Sequence, residues 1–295
     1  MAKIIDGRKI AAKVLEEVKL ELGELAKRKV FPSLAVVLVG NDPGSQIYVN
    51  SKEKKAKELG IASEKIILPE NTSEKELLAL IGKLNKSKKV NGILVQFPLP
   101  KQISERTVRD AISPEKDVDG LNSTNIGKLL NGDEMLAPCT PKGIIRMLEE
   151  EKIGIEGKNA VVVGRSLLVG KPIANMLLNR NATVTICHSK TRDLGEVTGK
   201  ADILVVAVGK PNLIKGNMVK EGAIVIDVGM NRLTGETVKE DVSQKEGSKL
   251  VGDVDFQEVA LKVRAITPVP GGVGPMTIAM LMRNTVNCAK LQNKI

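Results

Sequence analysis

Residues 159–172 read NAVVVGRSLLVGKP. Ala160 to Val163 is an uninterrupted apolar run, as in a strand buried on both faces. A turn follows that holds Gly164 and Gly170, and a helix follows the turn. In such a strand–turn–helix the phosphates of a dinucleotide sit on backbone N–H groups at a helix N-terminus. The spacing departs from G-x-G-x-x-G, because Arg165 and Ser166 occupy the middle. Glycines that end a strand are often only turn formers, so the surrounding pattern has to decide.

That pattern is a series of strands. ATVTIC (182–187), ADILVVAVG (201–209) and GAIVIDVG (222–229) follow, separated by helical segments or loops, and the helical CTPKGIIRMLEEE (139–151) precedes. The first half repeats the alternation. SLAVVLVG (33–40), EKIIL (64–68) and NGILVQFPLP (91–100) read as strands. Helices are expected from Asp42-Pro43 through Lys52 to about Gly60, from about Ser73 to Asn85, and from about Ser104 to Ala111. SPEKDVDGLN (113–122) is rich in turn residues. The chain ends in a Gly/Pro-rich loop, TPVPGGVGPMT (267–277), feeding a long helix from about Pro275. Strands alternating with helices predict an α/β fold with parallel, doubly wound sheet.

With 295 residues, 42% hydrophobic and 27% charged, the chain is long enough for two ordinary domains and does not read as disordered. No apolar run reaches membrane-spanning length. The N-terminus mixes charged and apolar residues at helical spacing and lacks the apolar stretch of a secretion signal. Cys139, Cys187 and Cys288 are far apart and form no CxxC, as expected of small buried residues in a reducing cytoplasm. His188 is the only histidine, so neither a protein-built metal site nor a Ser-His-Asp triad is expected. The net charge of +10 raises the question of nucleic acid. Yet the lysines are interleaved with glutamates, and there are almost no aromatic residues to stack bases. An anionic small molecule accounts for the charge at least as well.

Two clusters carry the chemistry. The strand 182–187 ends in CHSKTR (187–192), with no acid before Asp193 to bind a ribose 2′-OH. Ser189, Lys190 and Arg192 stand there instead, and Arg165 is another cation; a 2′-phosphate suits them, which favours NADP over NAD. The other cluster is Tyr48, Lys52, Gln96 and Asp119. Tyr48 is the only tyrosine, and Lys52 follows one helical turn later. Gln96 lies at the carboxyl end of a strand, where ligands of parallel sheets bind. Each also has a plain reading: a packing aromatic, a solvated lysine, a KDVDG turn.

YVNSK (48–52), VQFPLP (95–100), KDVDG (116–120), PCTPKG (138–143), VVVGRSLLVGKP (161–172), CHSKT (187–191) and TPVPGGVGPMT (267–277) occur in this order. Together they resemble the bifunctional methylenetetrahydrofolate dehydrogenase/methenyltetrahydrofolate cyclohydrolase family over nearly the whole chain. The resemblance implies a catalytic α/β domain at 1–137, with the C-terminal helix 277–295 packed back on it. A Rossmann domain at 138–276 follows, with a cleft between the two. It implies that Tyr48 stacks on the aminobenzoate ring, that Lys52 is the acid/base near the one-carbon unit, that Gln96 tunes Lys52, and that Asp119 holds the pterin. Val95, Phe97, Pro270, Gly271, Gly272, Gly274, Pro275 and Thr277 are implied substrate contacts. Gly164, Arg165, Ser166, Gly170, Ser189 and Met230 are implied cofactor contacts. Phe97 stands where leucine is common and Met230 where isoleucine is usual. The implied reactions are NADP-dependent oxidation of 5,10-methylenetetrahydrofolate and hydrolysis of the methenyl product to 10-formyltetrahydrofolate. A cytoplasmic homodimer, polyglutamylated folates, and no nucleic-acid or membrane partner belong to the same expectation. The rivals are an NADP dehydrogenase of another substrate and a basic nucleic-acid-binding protein. The first predicts no NADPH from methylenetetrahydrofolate, the second tight salt-dependent binding to nucleic acid.

Overall fold

The computed structural model describes residues 2–234 and 248–295. In chain order the elements begin with β1 (Lys3–Ile4), α1 (Gly7–Lys27), β2 (Ser33–Val39), α2 (Pro43–Glu58), β3 (Ala62–Leu68), α3 (Glu74–Lys86), β4 (Gly92–Val95), α4 (Glu105–Ala111), α5 (Ser123–Leu130) and α6 (Cys139–Glu150). They continue with β5 (Asn159–Val163), α7 (Gly170–Leu178), β6 (Thr183–Cys187), α8 (Leu194–Thr198), β7 (Ile203–Val206), β8 (Ile224–Asp227), β9 (Asn231–Thr234), β10 (Ser248–Val251), α9 (Phe256–Ala260), β11 (Ala265–Ile266) and α10 (Val273–Asn293).

The chain divides into two compact units. Ala12–Cys139 with Ile278–Ile295 form one; Met1–Ala11 with Thr140–Thr277 form the other. The first holds a three-stranded parallel sheet in the order β3-β2-β4. Central β2 is buried along almost its whole length, which is why SLAVVLV carries no polar alternation. Leu77, Ile81 and Leu84 on one face of α3 pack with Val37, Val39, Ile93 and Val95 in this unit's core. The helix is started by a capping box: Ser73 Oγ accepts from Glu76 N, and the Glu76 carboxylate accepts from Ser73 N at 2.8 Å.

The second unit holds a six-stranded sheet, parallel throughout, in the order β1-β11-β8-β7-β5-β6. Strands β7 and β8 are wholly buried. Its core gathers Val161, Val163, Leu204, Val206, Val225 and Ile266. A separate antiparallel pair, β9 with β10, was not expected from the sequence.

One boundary differs from the sequence reading, which assigned residues 1–137 to a single domain. The structure places Met1–Ala11 with the six-stranded unit, because Lys3 pairs with Ala265 and Ile4 with Ile266. Hydrogen bonds from Lys3 N to Arg264 O and from Ile5 N to Ile266 O secure that edge.

Candidate active site

In the three-stranded unit the site grows from the start of α2. The Asp42 carboxylate accepts from Ser45 N at 2.7 Å and Pro43 occupies the first turn, so the helix begins at a defined residue. Tyr48 and Lys52 then fall on one side of α2, a turn apart. β2 pairs with β4, and the ladder runs one residue further through Gln96 N to Val37 O at 2.9 Å. Gln96 thereby stands just beyond the carboxyl end of β4.

Lys52 Nζ donates to Gln96 Oε1 at 3.0 Å, and Gln96 Nε2 donates to Phe97 O at 2.6 Å. The amide is held at both ends with its oxygen toward the lysine. A neutral acceptor of this kind orients an amine without fixing it in the charged state, as a carboxylate would. Asp119 completes the group. Burial pushes its carboxyl above the ordinary range, and the Lys52 charge pulls it part of the way back. Tyr48 is 43% exposed, and burial shifts its hydroxyl upward. The structure thus brings Lys52, Gln96 and Asp119 together, with Tyr48 a turn from Lys52. Val95 is placed differently: it is 1% exposed, and its side chain packs in the core rather than beside these groups. Phe97 leaves β4 through a cis bond to Pro98, and the Arg109 guanidinium lies 5.8 Å from its ring centre.

KDVDG is a turn in which each residue has its task. Lys116 Nζ donates to Leu84 O at 3.1 Å and Ser87 O at 2.6 Å, closing the C-terminal end of α3. Val118 is core. Gly120 has φ +72, and a Cβ there would run into the backbone of Leu136 and Ala137. Asp117, 2% exposed, accepts from Gly120 N, Asn122 N and Asn125 Nδ2 at 2.8–3.0 Å. Burial nevertheless pushes its carboxyl up to about 6. Asp117 shapes the loop that carries Asp119. The sequence reading missed it, although the first acid of KDVDG was its signal.

In the six-stranded unit the decisive stretch folds as strand, turn and helix. Gly164 ends β5 with φ +127, and a Cβ on it would collide with the Ala207 carbonyl. A Cβ on Gly170 would collide with the Gly164 backbone in turn. Ser166 Oγ accepts from Val169 N at 3.2 Å and Gly170 N at 3.4 Å, settling the start of α7. Arg165 is exposed. Gly164 N donates to Cys187 O, so the turn lies beside the residues following β6. There His188 N donates to Thr191 Oγ1, and Lys190 N to His188 Nδ1, leaving Ser189, Lys190 and Arg192 exposed at the sheet's carboxyl edge. Met230 is 44% exposed after β8. Pro270 to Thr277 also belong to this unit. Gly271 has φ +109, and helix α10 starts at Val273, so Gly274, Pro275 and Thr277 stand in its first turns, two residues earlier than expected. Thr277 Oγ1 and Thr140 Oγ1 share a 2.9 Å hydrogen bond.

The catalytic-domain model of tetrahydrofolate dehydrogenase/cyclohydrolase matches residues 5–119, and the NAD(P)-binding-domain model of the same enzyme matches residues 138–293. The chain belongs to the tetrahydrofolate dehydrogenase/cyclohydrolase family. Among curated relatives, the bifunctional protein FolD of Acetivibrio thermocellus is 54% identical over 294 residues, covering 100% of this chain and 99% of that protein. FolD of Moorella thermoacetica is 57% identical over 289 residues, covering 98% and 99%. The crystal structure of FolD from Campylobacter jejuni superposes with a TM-score of 0.93 at 49% identity, covering 99% of this chain and 100% of that one. The Trypanosoma brucei dehydrogenase-cyclohydrolase, solved with NADP cofactor and inhibitor, gives 0.92 at 36% identity, covering 100% and 99%.

Proposed function

We propose that this chain oxidises 5,10-methylenetetrahydrofolate to 5,10-methenyltetrahydrofolate with NADP+ and hydrolyses the methenyl form to 10-formyltetrahydrofolate. The observation that carries the reading is the 3.0 Å hydrogen bond from Lys52 to the neutral, doubly held Gln96, in the unit that the family's catalytic domain matches.

The residues of the six-stranded unit fit the cofactor. Gly164 and Gly170 leave a bare backbone turn that any Cβ would fill, as a pyrophosphate requires. Ser189, Lys190, Arg192 and Arg165 supply a hydroxyl and cations for a 2′-phosphate, and no carboxylate precedes Asp193. When bound, NADP+ supplies the hydride acceptor.

The hydrolysis is the work of side chains. Water that attacks the methenyl carbon must lose a proton, and Lys52 Nζ is the base assigned to take it. When the C–N5 bond breaks, the lysine returns that proton to N5, while the second water proton leaves to solvent from the new formyl group. Gln96 keeps Nζ aimed through both steps, and Asp119 accepts from the pterin N–H groups. Tyr48 offers a flat, half-exposed face to the aminobenzoate ring.

Polyglutamylated folates, a cytoplasmic setting and a homodimer belong to the same proposal. For the dimer the support is β6: among the described residues no strand lies beyond it, and Ile186 on it is 41% exposed. Among the described residues no helix is long and apolar enough to cross a membrane. The test of function is an assay of both half-reactions with NADP+ and NAD+ side by side. Formation of NADPH from methylenetetrahydrofolate and loss of the methenyl absorbance are expected; absence of both overturns the reading.

A further inference from the structure

Two buried carboxylates at the carboxyl end of the six-stranded sheet have no part in that mechanism. Asp253 follows β10 and is fully buried. Its Oδ2 accepts from Val208 N at 2.7 Å and Gly209 N at 3.0 Å; its Oδ1 accepts from Lys210 N and Asn231 Nδ2, both at 2.9 Å. Four donors from two other loops converge on it. Asp227, at the end of β8 and 3% exposed, accepts from Gly229 N, Asp253 N and Val254 N at 2.9–3.0 Å. The fit admits no side chain: a Cβ on Gly229 would strike the Asp253 carboxylate, and one on Gly252 would strike that of Asp227.

The gathered segments are 207–210, after β7, and 228–231, which follows β8, carries Met230 and opens β9. The first abuts the phosphate turn, since Ala207 N donates to Val163 O at 2.8 Å and its carbonyl faces Gly164. Strand order runs β8-β7-β5-β6. A dinucleotide with its 2′-phosphate at the loop after β6 and its pyrophosphate on the β5–α7 turn must carry its other end over β7 and β8. We propose that Asp253, backed by Asp227, is a positioning residue for the nicotinamide end of the cofactor: it fixes the two loops over which that end lies.

The inference rests on the proposed NADP+ function, and two ligands separate the claims. Adenosine 2′,5′-bisphosphate occupies only the β6–β5 end; NADP+ occupies both. Asp253→Asn keeps the shape but turns an NH2 toward two N–H donors. Calorimetric titration should show at least tenfold weaker NADP+ binding by this variant, with the bisphosphate within twofold of wild type. A purely structural role would weaken both alike or neither, and either result overturns the proposal. Should Asp253→Asn not fold, Asn231→Ala, which removes one of the four donors, decides by the same ratio, with a threefold loss for NADP+ expected. Wild-type protein that binds neither ligand would overturn the function itself; wild-type binding with an unchanged ratio in the variant overturns only the role of Asp253.

Discussion

In the three-stranded unit the proposed catalytic group is a side chain, Lys52, held by a single hydrogen bond to Gln96, 44 positions away. In the six-stranded unit the proposed phosphate turn is made of main chain, and its special residues, Gly164 and Gly170, contribute by having no side chain at all. The two constructions fail differently. A side-chain site tolerates an isosteric replacement in its fold and loses chemistry. A main-chain site loses binding when any atom is added, whatever the chemistry of that atom. The two activities should therefore separate under mutation.

The largest separation is expected from Lys52. Hydride transfer moves no proton that a side chain must accept, whereas water attack and ring opening both do. General acid–base help is worth roughly 10²–10⁴-fold. Lys52→Gln or Lys52→Met should lower the cyclohydrolase rate in that range, and the dehydrogenase far less, through misplacement of the folate. Gln96→Ala should follow in the same order, and the double variant should be little worse than Lys52→Gln, as for residues acting as a unit. Steady-state kinetics of both half-reactions decide. Near-normal methenyl hydrolysis by Lys52→Gln would remove it as the acid/base.

Gly164→Ala should give the mirror image. Its φ of +127 costs a non-glycine residue about 1–3 kcal/mol, and the added methyl meets the Ala207 carbonyl. NADP+ binding should fall about a hundredfold or more, with the methenyl substrate still hydrolysed in the absence of nucleotide. Equal loss of both activities would show that the comparison between side-chain and main-chain sites does not hold.

Asp117 sharpens the comparison within the three-stranded unit, because its carboxyl is taken up by the loop that carries Asp119. Its carboxyl titrates at about 6 in the folded protein against 3.8 ordinarily. The native state therefore holds the proton more tightly than the unfolded chain, so stability from this group falls as pH rises from about 4 to about 6. The shift corresponds to roughly 3 kcal/mol. Asp117→Asn cannot titrate, and it leaves a donor facing its NH2. Wild type should be the more stable at pH 4, and its advantage should shrink by pH 6.5. Denaturant midpoints of both proteins across that range test this; an advantage that grows with pH would mean the ionised form is the favoured one.

The α/β architecture was legible because strands buried on both faces leave uninterrupted apolar runs, as in SLAVVLV and NAVVV. The two-residue strands β1 and β11 were not, since two residues carry no periodicity. Helix α5 hid behind a turn-rich loop; its start is legible only through Asn122, whose Oδ1 accepts from Thr124 N. Tyr48 and Lys52 were readable as a helical pair, but their link to Gln96 depends on β4 lying beside β2, which spacing does not encode. Asp253 was harder still. VGDVD looks like a turn, and its role appears only when residues 208–210 and 231 come to it from elsewhere in the chain.

Cofactor choice is a smaller effect than the presence of the turn. Ser189→Asp would set a carboxylate at the end of β6, beside Lys190 and Arg192, where NAD-type sites carry their acid. NADP+ should weaken about tenfold or more while NAD+ changes little, in the ratio of kcat/KM values for the two cofactors. Equal losses would place Ser189 away from the 2′-phosphate and leave Arg165 as the discriminating group.

The smallest effect concerns the net charge of +10. Around the proposed folate site several lysines are already paired with glutamates. On α2, Lys55 pairs with Glu58 at 2.5 Å and Lys57 with Glu53 at 2.6 Å, and Lys65 on β3 reaches Glu53 at 3.4 Å. Exposed pairs of this kind contribute little to stability, and each cancels most of its own long-range potential. An anionic glutamate tail is then attracted chiefly by nearby unpaired cations, at distances where screening beyond roughly 8 Å at physiological ionic strength matters only in part. The apparent affinity for the folate should fall by no more than about threefold between 50 mM and 500 mM salt for a monoglutamate. A longer tail, carrying more charge over the same surface, should show a steeper slope. Kinetics across salt for both substrates measure the two slopes. A steep slope for the monoglutamate would mean that the glutamates of α2 do not neutralise its lysines when substrate is present. Identical slopes for both tails would mean that the additional charges meet no cation on this unit.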